Sequence, residues 1–384
     1  MLNEINKNLV EPKLREEAFN PTSGPPVWWS KLFGQVQAGS IFLSPQWMQT
    51  WLDIYGMDFS GRSLSWWQND ICIAGVILLF RPAKLGPFPI RLAILNTAAE
   101  IDENAPFIEY NDVLCQSGYE EFILDSLASY LAQQSWDQLY LAGYTESSLI
   151  ARLQTRALPG EWRLIDKKSP YIDLKSLGND GLDRYFSSNT RTQIRRSIKL
   201  YEERGSLRID VAQNLDENLK YLDALAELHR AAWARRGQPG GFRSPRFIHF
   251  HKALIQRLLP ERAVELLRVS AGDQTVGYIY NFLLDGKVYF YQSGFAYEAD
   301  PKIKPGLVTH YLAAQNYWER GFIEYDFMAG DARYKRSLAK STRTLYWSWV
   351  ERSNFRMTLI KIARKAKHFL RRQSHTEISN QADT

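Results

Sequence analysis

Thr275-Val-Gly-Tyr-Ile-Tyr-Asn-Phe-Leu-Leu284, the pair Asp285-Gly286, and Lys287-Val-Tyr-Phe-Tyr-Gln-Ser-Gly-Phe295 make up the stretch that decides the fold. Two runs rich in β-branched and aromatic residues flank an Asp-Gly pair, which suits the left-handed backbone of a two-residue hairpin turn. The spacing predicts antiparallel strands over 275–284 and 287–295. Upstream, Ala263–Ser270 reads as a third strand of the same meander. Downstream, Lys304-Pro305-Gly306 precedes a predicted helix, Leu307–Arg320, then a strand, Ile323–Met328, and a closing strand, Thr342–Val350. Before the meander come a helix carrying Asn189–Ile198, a strand Leu207–Val211 and a long helix from Leu215 to about Arg235. After the Gly237–Gly241 loop, Ser244-Pro245 opens another helix, Ser as the cap and Pro in the first turn. Helices, a meander, a helix and a further strand predict an α+β domain.

The first part of the chain has a similar layout. Ser44-Pro45 starts a helix in which Trp47, Trp51 and Ile54 recur at helical spacing. Strands are expected at Leu64–Gln68, Ile71–Phe80 and Ile90–Leu95, the first two joined by Asn69-Asp70. A helix (Tyr119–Gln133) and a strand (Asp137–Ala142) follow. A polar break around Lys167-Lys-Ser-Pro170 suggests a boundary. The expected organisation is a diverged duplication: domains at 1–168 and 169–352, then a basic segment at 353–384.

With 384 residues, 45 % apolar and 23 % charged, the chain has ordinary globular chemistry and enough length to bury a core without staples. Its two cysteines, Cys72 and Cys115, lie too far apart for a CxxC site and fit a reducing compartment. No apolar stretch near Met1 resembles a secretory signal, and the most hydrophobic run, Ile71–Phe80, is too short to span a bilayer as a helix. A cytoplasmic protein is expected. The charge balance, Lys+Arg 48 against Asp+Glu 42, gives a net +6 and a pI near 9.1, which by itself invites a nucleic acid. Between Ser353 and His375, however, stand Arg356, Lys361, Arg364, Lys365, Lys367, Arg371 and Arg372 with no acidic residue. The rest of the chain is within one charge of neutral, so no DNA partner is expected. In the same segment Leu359, Ile362, Ala363, Ala366, Phe369 and Leu370 follow helical apolar spacing. Such a helix either docks its stripe on the domain or lies on an anionic membrane surface.

The zincin, nucleophile-elbow, P-loop and dinucleotide motifs are all absent. His249 and His251 are two apart, which on a helix points them to different faces, so no metal is expected. Trp28-Trp29 and Trp66-Trp67 read as core or as sugar-stacking platforms.

Tyr289–Phe295, Lys304-Pro-Gly-Leu307 and Tyr325-Asp-Phe-Met-Ala-Gly-Asp331 with Tyr334-Lys335 resemble, in that order, the acetyltransferase domain of CelD/BcsL-type proteins. These belong to the GNAT superfamily and are similar to the FemABX transferases. Arg191, Ile194-Arg195-Arg196 and Ile41-Phe-Leu-Ser-Pro-Gln-Trp47 also match, so the resemblance covers roughly residues 40 to 350. It implies tandem GNAT-like folds, with acetyl-CoA or another acyl-CoA as donor and a role in making exopolysaccharide. The usual GNAT pyrophosphate signature is replaced by Lys304-Pro305-Gly306 alone.

Acyl transfer needs a held donor, an aligned acceptor, a route for the acceptor proton and stabilisation of the leaving thiolate. The helix beginning at Lys304, Pro305, Gly306 and Leu307 offers unpaired N–H groups to the donor pyrophosphate, or is a structural turn. The resemblance places a thiolate-protonating Tyr after the strand, which is Tyr334; a packed tyrosine is the plain alternative. Asp326 and Asp331 are candidate bases or orienting groups; burial on a strand between apolar neighbours would suit Asp326 to base work, and a buried Asp satisfying backbone N–H groups is the alternative. Lys335 suits a phosphate or a neighbouring Asp. Arg191, Arg195 and Arg196 either grip a sugar phosphate or glycan carboxylate, or form a solvated face. Three functions remain open: acyl transfer from acyl-CoA to a sugar or glycan precursor, FemABX-like transfer from aminoacyl-tRNA, and a non-catalytic scaffold for polysaccharide synthesis.

Overall fold

The computed structural model describes residues 11–36, 40–97, 105–179, 181–238, 240–330 and 332–363. The first half contains β1 (Lys13–Phe19), α1 (Val27–Phe33), α2 (Pro45–Tyr55), β2 (Ser60–Gln68), β3 (Ile71–Leu85), β4 (Phe88–Leu95), β5 (Leu114–Cys115), α3 (Glu120–Gln133), β6 (Gln138–Thr145), α4 (Leu149–Arg152) and β7 (Glu161–Asp173). The second contains α5 (Ser188–Glu202), β8 (Leu207–Val211), α6 (Leu215–Ala234), α7 (Pro245–Leu258), β9 (Val264–Ala271), β10 (Gln274–Leu284), β11 (Lys287–Phe295), α8 (Pro305–Glu319), β12 (Glu324–Asp326), α9 (Arg333–Leu338) and β13 (Ser341–Glu351). The described strands join one sheet in the order β1-β2-β3-β4-β6-β13-β7-β12-β11-β10-β9-β8, with β5 paired to β3.

This α+β sheet repeats itself. Strands β2, β3 and β4 are antiparallel neighbours, and β4 then runs parallel to β6 by way of α3. Strands β9, β10 and β11 do the same, and β11 runs parallel to β12 by way of α8. Both expected hairpin turns carry the left-handed backbone they require, at Asn69 (φ 50°) and Asp70 (φ 62°), and at Asp285 (φ 49°) and Gly286 (φ 72°). Phe42-Leu-Ser-Pro45 corresponds to Phe242-Arg-Ser-Pro245. Ser44 Oγ accepts from Trp47 N–H at 3.2 Å and Ser244 Oγ from Phe247 N–H at 3.3 Å, so α2 and α7 begin by the same device. The two helices then pack on each other, Trp47 edge-on to Phe250 at 5.1 Å.

The halves do not close separately. β7 follows β6 in the chain yet pairs with β12, Asp173 opposite Glu324. β13 follows β12 yet pairs with β6, and β7 and β13 pair with each other along the whole of β13. The polar run Lys167–Pro170 is therefore not a loop but the middle of a strand. Residues 163–168 are exposed, even Leu164 (45 %) and Ile165 (46 %), so the apolar alternation of a half-buried strand is missing there. The expected strand 323–328 is shorter, only β12, because the chain leaves the sheet after Asp326.

Within the second half, period-two alternation sorts side chains to two faces. Leu266, Tyr280 and Phe282 meet α6 and α7, while Leu267, Ile279 and Val288 meet α5 and α8. Residues 355–363 are helical and dock on Ile90 through Met357 and Ile360. The docked face is thus not the Leu359–Ile362 stripe: Phe355, Leu359 and Ile362 face solvent, and Ala366, Phe369 and Leu370 lie outside the described residues. Cys72 and Cys115 are free thiols. Among the described residues no helix is long and apolar enough to cross a membrane.

Burial holds His229 down to about 4 and His251 and His310 down to about 3, against 6.5 for a free imidazole. The unfolded chain therefore binds protons that the folded chain refuses below pH 6.5, and these groups withdraw stability as the pH falls towards 3. Asp112, pushed up to about 7 by burial, acts in the opposite sense. His251 sits among Phe247, Phe250 and Tyr280, so His251→Phe is expected to flatten the fall of the unfolding midpoint between pH 6.5 and 4. An unaltered profile would place the acid lability elsewhere.

Candidate functional site

Strands β11 and β12 pair only over Lys287–Tyr289 and Glu324–Asp326. β11 runs on to Phe295, whereas the chain beyond Asp326 leans towards β7. There Phe327 N–H donates to Pro170 O (2.9 Å) and Gly330 N–H to Lys168 O (3.0 Å). Two parallel strands that part leave a wedge between them, and a cleft of about 430 Å³ opens there. Its walls come from β11, from Met328–Gly330 and α9, from His229 and Trp233 of α6, and from Arg236 just beyond that helix. The first half of the chain adds Phe107, Glu109 and Lys167, and β13 adds Trp347.

The equivalent split between β4 and β6 is filled by the chain itself. Asn111 N–H donates to Gly143 O (3.0 Å), and Asn96 Nδ2 donates to Asn111 Oδ1 (2.8 Å) and Asp112 O (2.9 Å). Gly143 has φ 62°, and a Cβ there would stand 2.2 Å from Ile108 O, so only glycine lets the plug approach. The same segment that closes the first wedge carries Phe107 and Glu109 into the second.

The floor of the open cleft is tightly held. Met328 adopts φ 61°, a conformation that costs energy in a residue with a side chain. Its N–H donates to Asp326 Oδ1 (2.7 Å), and Ala329 N–H donates to Glu109 Oε2 (2.9 Å). Lys335 Nζ donates to Met328 O (3.2 Å) and Ala329 O (3.0 Å). Lys335 is buried, which pushes its ammonium pKa down, against the pull of Glu109 and Asp326. Asp326 also accepts from Ser169 Oγ (2.9 Å) and from the Tyr110 hydroxyl. It is fully buried, but donors engage both of its oxygens and it does not line the cleft.

Tyr334 does line the cleft, its ring stacked on His310 at 5.3 Å and 14°. Burial drives its hydroxyl pKa up, so it stays a neutral O–H donor at neutral pH. His310, itself neutral by burial, is fixed by its Nδ1 at 3.0 Å from Tyr325 OH.

At the far side of the wedge α8 begins with Pro305. Lys304 N–H donates to Ser197 Oγ of α5 (2.8 Å), and no side chain caps the helix. Pro305 and Leu307 are buried, and a Cβ on Gly306 would stand 3.2 Å from Phe295, which borders the cleft. Arg191, Arg195 and Arg196 lie on α5, which packs on α8, and none of them lines the cleft. Asp331 lies outside the described residues.

The structure thus gathers Tyr334 and Lys335 in one cleft and puts Lys304–Leu307 at its edge. Sequence reasoning missed Glu109, Lys167, His229, Trp233 and Arg236. Glu109 and Lys167 come from the other half of the chain, and no local pattern marks them. The Trp233–Arg236 pair stands before the Gly-rich loop and was the one available signal. Among the described residues no group of three His, Cys, Asp or Glu side chains is arranged to hold a metal.

No curated protein matches the chain. Solved structures of similar fold include that of FemX, with a TM-score of 0.57 and 12 % identity over 91 % of this chain and 99 % of that one. L-PGS from Bacillus licheniformis gives 0.50 and 12 %, covering 88 % and 96 %. A conserved protein of unknown function from Bacteroides thetaiotaomicron gives 0.51 and 9 %, covering 88 % and 100 %. At these identities the likeness is one of fold. Residues 188–336 match the family model of an acetyltransferase (GNAT) domain, a type that uses acyl-CoA. That span contains the α5–α9 segment around the open wedge, and by it the chain is an acyltransferase.

Proposed function

We propose that the protein moves an acetyl or other acyl group from acyl-CoA to an amine or hydroxyl of a sugar or glycan precursor, in exopolysaccharide synthesis of the CelD/BcsL type. The observation that carries this reading is the open wedge between β11 and β12, strands of the matched domain, with Tyr334 and Glu109 on its walls. The donor pyrophosphate sits at the start of α8, on Lys304, Pro305, Gly306 and Leu307, with Arg191, Arg195 and Arg196 of α5 adding charge on that side. The acceptor nitrogen or oxygen attacks the thioester carbonyl and the C–S bond breaks. Glu109 takes the acceptor proton and returns it to the sulfur, so one N–H or O–H is exchanged for one S–H. The Tyr334 hydroxyl donates a hydrogen bond to the departing thiolate. Asp326 acts as a positioning residue, holding Met328 and Tyr110 in place. The division at residue 168 makes the first half a wall of the site, not a second site.

Calorimetric titration with acetyl-CoA tests the donor. One site per chain is expected, lost in Gly306→Glu with the unfolding midpoint retained. Two sites per chain, or no heat with any acyl-CoA, would overturn the reading.

The same proposal includes peripheral contact with anionic membrane through residues 353–375, supported by the exposed stripe Phe355, Leu359 and Ile362 and by the seven basic residues. Vesicles containing anionic lipid should carry the protein in flotation. Phe355→Ser/Ile362→Ser should sink it, and co-flotation of that variant would exclude the stripe.

A further inference from the structure

Lys167 and Arg236 reach the cleft from opposite halves of the chain. Lys167 Nζ lies 4.3 Å from the Trp347 ring, and Arg236 lies 5.7 Å from the Trp233 ring and beside the Tyr297 hydroxyl. Both are exposed, and neither pairs with a carboxylate among the described residues. Among the described residues lining the cleft, the one carboxylate is Glu109, which is committed deeper, with Ala329 and Lys335. Among the described residues, the mouth therefore holds two cations beside aromatic faces with no carboxylate paired to them. That combination suits a ring-bearing anion.

The faces of the sheet separate this anion from the donor. Trp347 belongs to the core under α6 and α7, as do Tyr280 and Phe282. The start of α8, where the proposed donor phosphates sit, belongs with α5 on the opposite face. A donor entering along α8 brings its thioester into the wedge from one side, and the cations guard the other. We infer that Lys167 and Arg236 bind an anionic group on the acceptor, making it a sugar that carries a phosphate or a carboxylate. This rests on the acyl-transfer reading for the word acceptor, but its test does not.

The test is equilibrium binding without donor, comparing N-acetylglucosamine, N-acetylglucosamine 1-phosphate, glucuronic acid and inorganic phosphate. At least one anionic sugar is expected to bind about tenfold or more tighter than the neutral one, and to weaken with added salt. The two anionic arms identify whether phosphate or carboxylate is read. Lys167→Gln and Arg236→Gln should each cost that ligand about tenfold while the unfolding midpoint and the acetyl-CoA affinity hold. Equal binding of neutral and anionic sugars, no binding in any arm, tighter binding of bare phosphate than of both anionic sugars, or a loss falling on acetyl-CoA would overturn it. Thioester turnover is measured separately. Its absence alongside selective anion binding would sink the acyl-transfer reading and leave the anion site standing.

Discussion

Glu109→Gln is expected to lower kcat for acyl transfer by about 10²–10⁴-fold while acetyl-CoA binding and the unfolding midpoint change little. The carboxylate is 7 % exposed, and its Oε2 accepts the Ala329 N–H at 2.9 Å. A glutamine oxygen can accept the same bond, so the Met328–Gly330 floor should keep its shape. What disappears is the negative charge and the capacity to hold a proton. A purely structural Glu109 would move kcat by only a few-fold and would leave the pH–rate profile intact. The acidic limb of kcat/KM should vanish in the variant if Glu109 carries the proton. Retention of both rate and limb would remove it from the mechanism.

The second large effect is on stability. Lys335→Met is expected to cost about 3–5 kcal/mol by chemical denaturation, because it removes the buried cation that faces Glu109 and Asp326. Lys335 also supplies the side-chain donor to the Met328 and Ala329 carbonyls, at 3.2 and 3.0 Å, and lies 5.9 Å from the Phe290 ring. Methionine keeps the packing volume and removes both the charge and the two hydrogen bonds. Adding Glu109→Gln to this variant should recover about 1 kcal/mol or more, since one of the buried negative charges that Lys335 faced then goes too. An undiminished midpoint in the single variant, or no recovery in the double, would show that the cluster is not held by charge.

What could be read in advance follows from how local each signal is. The strands Leu207–Val211 and Lys287–Phe295 came out with their observed bounds, because turn residues and a run of apolar side chains sit side by side in the chain. Lys167–Pro170 reads as a break although it lies inside β7, since the exposed polar side chains there carry no trace of the two neighbours that hydrogen-bond to the strand. Tyr334 and Lys335 follow β12 closely in the chain, where the resemblance points, and both line the cleft. Asp326 is buried on the apolar strand its neighbours suggest, but Tyr110 and Ser169, whose hydroxyls occupy its oxygens, come from far along the chain. Glu109 carries no local mark at all. It matters because a loop that fills one wedge happens to end beside the other.

The exchange of β7 and β13 has a consequence for how the protein is made. During synthesis the amino-terminal sheet can assemble only as far as β6, because its next neighbour is the last described strand, residues 341–351. Until that strand leaves the ribosome, β6 presents an unpaired edge and Tyr140 lacks the Trp349 ring that later packs on it at 5.1 Å. The nascent chain must hold an incomplete amino-terminal sheet until residues 341–351 emerge, and β13 then joins β6 to β7 in one late step. A fragment ending before β13 should aggregate rather than fold, and the intact chain should melt as one cooperative unit.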